Sequence, residues 1–211
     1  MLGCSPTYAP PVRSTHDGAA GRLHRDEMQV AGSAGLFQNG GAWLTVPTGT
    51  DVKLELGGDF APQLEWMMGW IGARYTFSKR QEGRWLGSGV AFDIEGGTGA
   101  GTGGTNGRED ARDIDWDDRT AIGTYTGVGF AYHVAGIFAP WVRGRVQLTG
   151  AEDVPLTFWS SGLTGVELGY RIFHVYVGTG VAGYRNSVDS SWGWYPIEGG
   201  ISFHYDFRPW E

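Results

Sequence analysis

The segment APWVRGRVQLT (139–149) alternates without a break. Pro140, Val142, Gly144, Val146 and Leu148 share one face, and Trp141, Arg143, Arg145 and Gln147 share the other. Period-2 alternation puts successive side chains on opposite sides of an extended strand, so this stretch cannot bury one face as a helix. The same pattern returns through most of the chain. TGVELGYRI sets Val166, Leu168, Tyr170 and Ile172 against Gly165, Glu167, Gly169 and Arg171. WLGSGVAFDIE sets Leu86, Val90, Phe92 and Ile94 against Gly87, Gly89, Asp93 and Glu95. The last segment carries Tyr195, Ile197, Ile201, Phe203, Tyr205 and Phe207 on one side, with Glu198, Gly200, Ser202, His204 and Asp206 on the other.

Strands are predicted over 27–37, 41–47, 51–58, 64–78, 84–95, 119–134, 138–149, 158–172, 174–186 and 194–207. The last seven exceed the roughly 5–6 residues of ordinary globular strands and meet the ~9–11 needed to cross a bilayer at a tilt. The expected fold is therefore all-β: a closed antiparallel up-and-down transmembrane barrel of ten strands. Eight is the alternative, if the first two candidates form one irregular strand or pack outside.

Composition agrees. Glycine is abundant, at 37 of 211 residues, yet Trp, Tyr and Phe number 10, 9 and 10. A disordered chain would lack those aromatics. A net charge of −7 leaves no electrostatic footprint for nucleic acid. The mean hydropathy of −0.25 reads as soluble, but a transmembrane barrel averages its lipid-facing and lumen-facing residues to such a value.

The longest connection and most of the longer ones fall after odd-numbered strands (38–40, 59–63, 96–118, 150–157 and 187–193). Such sorting suits a barrel with turns on one rim and loops on the other. Outward aromatics also gather at one level, at Tyr75, Phe77, Phe130, Tyr132, Phe138, Tyr170, Phe173, Tyr205 and Phe207. Rings at one level are what a membrane-interface girdle requires. The opposite faces place Arg74, Asp93, Glu95, Arg143, Arg145, Glu167, Arg171, Glu198, His204 and Asp206 in the lumen. Opposite charges there are expected to neutralise one another, because an unpaired buried charge is costly.

Over 27–207 the chain resembles small outer-membrane β-barrel proteins of Gram-negative bacteria. The resemblance rests on this architecture and on Ile201, Phe203, Tyr205 and Phe207, which look like the alternating C-terminal signal read by the barrel insertion machinery. Such proteins normally end on the aromatic residue, whereas RPWE (208–211) follows here as a short tail. The resemblance implies outer-membrane lipids as surroundings and a periplasmic position for both termini. A structural or surface-interaction role is expected, with 96–118 as the external loop. A narrow channel for small solutes or ions is one alternative. A soluble lipocalin-like barrel, with the apolar face turned inward around a ligand, is another.

Residues 1–26 show no period and read as a flexible tether. Cys4, the single cysteine, follows Leu2 and Gly3 in a way that resembles a lipoprotein signal, so it is a candidate lipidation site. Asp113, Asp115 and Asp117 open like a calcium loop, but Asp118 stands where such a loop needs Gly and Thr124 where it needs Glu. Only a loose Ca2+ contact is expected there, and no other cofactor. Gly99, Gly101 and Gly104 match a G-x-G-x-x-G pattern, but no helix follows to hold a phosphate. Ser202, His204 and Asp206 share a face, yet side chains two apart on a strand stand ~6.5–7 Å apart. Direct hydrogen bonds between them are not expected, and no catalysis is predicted. The five histidines, His16 and His24 among them, have no metal-ligand spacing.

Overall fold

The computed structural model describes residues 8–21, 27–35, 39–48, 50–62, 66–80, 88–103, 119–152, 154–170 and 172–206. Ten antiparallel strands close into one barrel. They are β1 (Glu27–Gly35), β2 (Gly40–Pro47), β3 (Val52–Ala61), β4 (Trp66–Arg80), β5 (Gly89–Thr102), β6 (Thr120–His133), β7 (Phe138–Ala151), β8 (Val154–Tyr170), β9 (Phe173–Arg185) and β10 (Ser190–Asp206). Each strand pairs with its sequence neighbours, and β1 closes the barrel on β10 from Glu27↔Asp206 to Gly35↔Glu198. The chain therefore folds with ten strands and not eight.

The strands begin and end on two rims. The basal rim carries the start of β1, the end of β10 and the connections 48–51, 81–88, 134–137 and 171–172. The apical rim carries 36–39, 62–65, 103–119, 152–153 and 186–189. At the short 134–137 hairpin Val134 pairs with Phe138, and positive φ at both Ala135 and Gly136 lets the turn follow the strand twist. Loop sorting is weaker than expected: two residues separate β7 from β8 on the apical rim, eight separate β4 from β5 on the basal rim, and only the 103–119 connection sets the apical rim apart.

The two faces divide as the alternation predicts. Leu54, Ile71, Ile94, Ile122, Val142, Leu168 and Phe203 point out and are about half exposed. Their in-between neighbours Glu55, Glu95, Arg143 and Glu167 point in and are buried. A lipocalin-like barrel needs the reverse, so that alternative is corrected: its apolar face would point inward. The lumen still holds apolar bulk, with Trp43, Trp70, Tyr125, Trp141 and Tyr176 among its buried residues.

Two expectations fail in this fold. The first concerns 96–118, where Gly96–Thr102 belong to β5 and only 103–119 connects β5 to β6. Gly97, Gly99 and Gly101 face inward, and a Cβ on Gly99 would stand 2.7 Å from Val12 Cγ1. These glycines make room in the lumen rather than a loop outside it.

The second failure concerns the tether. Residues 8–21 run through the barrel from rim to rim. Tyr8 packs against Trp159 and Tyr184 near the apical rim, with ring centroids 5.3 and 4.4 Å apart. At the other end a Cβ on Gly21 would meet Ala91 and Thr76 near the basal rim. Ala9, Val12, Arg13, Thr15, His16 and Asp17 are all buried. The segment lacks a period because it is enclosed on all sides, so no face of it is sorted between core and solvent. Residue 8 consequently lies at the apical rim and residue 206 at the basal rim.

Candidate functional site

The lumen is organised around Glu95, which projects from β5 at mid-height. Arg145 donates to its Oε1 from Nε at 2.8 Å and from Nη2 at 2.6 Å. Its Oε2 accepts from Arg143 Nη1 at 3.0 Å, from Arg74 Nη2 at 3.1 Å and from Arg13 Nη1 at 3.5 Å. Four guanidiniums thus converge on one carboxylate, and three more acids share them. Arg143 Nη2 donates to Asp93 Oδ2 at 2.8 Å, and Arg13 Nη1 to Glu55 Oε2 at 3.0 Å. Arg74 Nη2 lies 2.8 Å from Glu55 Oε1 and also contacts Asp17, while Arg13 Nη2 donates to Asp17 Oδ1 at 2.6 Å. The planar fork of arginine suits such sharing, because each nitrogen can serve a different carboxylate.

Strand geometry explains why these groups meet. The register sets Arg74 opposite Glu95, Glu95 opposite Gly127, and Gly127 opposite Arg145. Gly127 and Gly129 leave space over β6, so Arg143 and Arg145 reach across it to β5. Asp17, Glu55 and Glu95 bring carboxylate oxygens within metal-ligating range of one another. Arginine nitrogens already fill the space between them, so the group is an ion-pair cluster and not a metal centre.

The N-terminal segment is held along its length by wall side chains. Gln147 brackets Arg13, accepting from its amide at 2.9 Å and donating to its carbonyl at 2.8 Å. Asp59 accepts from the amides of Ser14 at 2.5 Å and Thr15 at 2.7 Å. Glu198 accepts from the His16 amide at 2.6 Å, and Tyr176 donates to the His16 carbonyl at 2.5 Å. Glu167 accepts from the Ala19 amide at 2.5 Å, and the His133 ring pairs with the Ala20 carbonyl at 2.6 Å. The Arg13 guanidinium also lies 4.0 Å over the Trp70 ring, a cation–π contact. Backbone groups that would otherwise be orphaned in the lumen thereby find partners.

Of the charged residues assigned to the lumen from sequence, Arg74, Asp93, Glu95, Arg143 and Arg145 form the central cluster. Glu198 and Glu167 instead hold the N-terminal segment, and Glu167 Oε1 also bonds His174 Nδ1 at 3.0 Å. His204 stacks on His174 at 4.1 Å, with the rings 9° apart. Arg171, Phe207, Cys4, His24, Asp113, Asp115, Asp117 and the tail 208–211 lie outside the described residues. Sequence reasoning missed Arg13, Asp17, Glu55 and Asp59. Glu55 carried a usable signal, since Lys53 and Glu55 alternate with Leu54 and Leu56.

One distance expectation is corrected. Ser202 Oγ and His204 Nε2 are 3.1 Å apart, because their side chains lean together along the strand. The aromatic positions Tyr75, Phe77, Phe130, Tyr132, Phe138, Tyr170, Phe173 and Tyr205 all face outward, between 37% and 60% exposed. On the apical rim, Asp189 accepts from Tyr184 Oη at 2.7 Å and from the Ser190 amide at 2.7 Å, which holds its carboxyl below the usual range.

No protein-family model matches the chain, and no curated protein matches it either. Among solved structures it is similar to the N-terminal β-barrel domain of OprF from Pseudomonas aeruginosa. That match has 13% identity, covers 85% of this chain and 96% of that one, and has a TM-score of 0.38. It is also similar to a bacterial polysaccharide outer membrane secretin, with 9% identity, coverage of 88% and 100%, and a TM-score of 0.29. The outer membrane protease OmpT from Escherichia coli matches at 10% identity, with coverage of 86% and 93% and a TM-score of 0.28. Likenesses this distant carry no argument about activity, and the reading below rests on the geometry of the chain itself.

Proposed function

We propose that this chain is an integral outer-membrane β-barrel whose lumen is closed by its own N-terminal segment. It acts as a sealed structural or surface-interaction barrel. The observation that carries the reading is the inversion of its faces: an apolar outer wall around a lumen of paired charges. Strands such as β8 and β10, each of 17 residues, are long enough to cross the hydrocarbon and extend beyond it. Outer-membrane lipids are the partners this surface fits, and the outward aromatics of β10 suit the insertion machinery. The apical loop 103–119 is the segment best placed for an external contact.

No catalytic role is proposed for Ser202 and His204. Both are about 95% buried, and the Gln29 side chain and the stacked His174 ring stand against His204.

The test is fractionation followed by electrophysiology. The protein should require detergent, run as a heat-modifiable band on gels, and insert into planar bilayers without conducting. Full solubility without detergent contradicts the membrane reading, and steady conductance by the unaltered protein contradicts the seal.

A further inference from the structure

We infer that the N-terminal segment is a removable plug, and that its departure opens a cation-selective path through the barrel. This rests on the membrane reading above and adds to it a gate and a class of permeant.

The path would be continuous. Residues 8–21 thread the lumen from Tyr8 at the apical rim to Gly21 at the basal rim, so the space they vacate connects the two sides. Their attachments are also separable from those that hold the wall. Among the described residues, hydrogen bonds, ion pairs and ring contacts to wall side chains hold the segment, and no β-ladder joins it to a strand. The wall cluster stays paired without it. Glu95 keeps Arg74, Arg143 and Arg145, Arg143 keeps Asp93, and Glu55 keeps Arg74.

Selectivity follows from what is left over. Asp59 loses the Ser14 and Thr15 amides, Glu198 loses His16, and Glu167 loses the Ala19 amide. Arg74, Arg143 and Arg145 are balanced by Glu55, Asp93 and Glu95, while Lys53 and Glu27 add one charge of each sign. Among the described residues Asp59, Glu167 (still bonded to the His174 ring) and Glu198 are therefore the excess carboxylates, spread along the vacated path. Carboxylates lining a narrow low-dielectric pore attract cations and exclude anions.

Two full-chain variants test this, each with Cys4→Ser. Arg13→Ala removes the cation that ties the segment to Glu55 and Glu95 but leaves every wall pair in place. Gly18→Cys with Tyr176→Cys provides a lock, because a Cβ at Gly18 stands 3.1 Å from the Tyr176 Cβ, a little short of a disulfide's usual separation, once the flexible end of Glu167 swings aside to admit it. In planar bilayers with KCl, Arg13→Ala should raise the open fraction by about tenfold or more over the unaltered barrel. Its reversal potential should report K+ over Cl−. Adding the oxidised lock to Arg13→Ala should silence it, and dithiothreitol should restore it. Openings that ignore the lock, openings selective for Cl−, or an inserted Arg13→Ala barrel as silent as the parent would each overturn the inference. A protein that never enters bilayers fails earlier, at the membrane reading, so the two failures are distinguishable.

Discussion

Replacing Glu95 by alanine should be the most damaging single substitution in the barrel. It leaves Arg13, Arg74, Arg143 and Arg145 without their shared acceptor while all four remain buried. Removing one partner of a buried pair costs about 3–5 kcal/mol, because the surviving charge has neither water nor a counter-ion. Arg143 retains Asp93 and Arg74 retains Glu55, but among the described residues Arg145 pairs with no other carboxylate. The expected result is loss of the heat-modifiable band at a urea concentration where the parent is intact. Removing both members of the closest pair, with Glu95→Gln and Arg145→Gln together, should be milder than Glu95→Ala. The amides preserve bulk and polarity without leaving the Arg145 charge unmatched. A double variant as unstable as Glu95→Ala would mean that the carboxylate matters for shape and not for charge.

A charge on the outer wall should be nearly as costly, and only if lipid surrounds it. Val128 faces outward on β6, paired with Ile94 and Gly144 at the level of the Glu95 cluster. At 47% exposure, Val128→Arg would be harmless in a soluble protein. At the midplane of a bilayer the same change costs about 2–4 kcal/mol. Val188→Arg, in the apical 186–189 turn where Val188 is 71% exposed, should change stability by less than about 0.5 kcal/mol. Unfolding in lipid vesicles measures both. Equal stability of the two variants would argue that the apolar wall faces water or a protein partner.

The fold was legible wherever one face met the lumen and the other did not. Segments such as 138–149 and 158–172 declared their strands because alternation there is enforced at every residue. Strand ends were less clear. The segment expected over 84–95 is Gly89–Thr102, because Gly96–Thr102 carry almost no side chains that could alternate and their glycines mark close approach inside the barrel. The lumen charges on β4, β5 and β7 were readable from their faces, and the long central strands gave no competing period. Arg13, Asp17 and the segment that carries them were not readable. A chain enclosed by a barrel contacts wall on every side, so its sequence has no periodic signal to offer. Its satisfaction depends on Asp59, Gln147, Glu167 and Glu198, whose partners lie far away in sequence.

The account turns on whether residues 8–21 occupy the lumen of a folded barrel. Thiol accessibility tests this most directly, using Ala19→Cys in a Cys4→Ser chain. Ala19 is 6% exposed between Glu167 and its neighbours, and Val188→Cys in the apical turn is the exposed control. In the folded, detergent-solubilised protein a membrane-impermeant maleimide should label position 188 within minutes and leave position 19 unmodified until urea unfolds the barrel. Labelling of position 19 as fast as position 188, in a sample that still shows the heat-modifiable band, would place the segment outside the barrel and contradict the account.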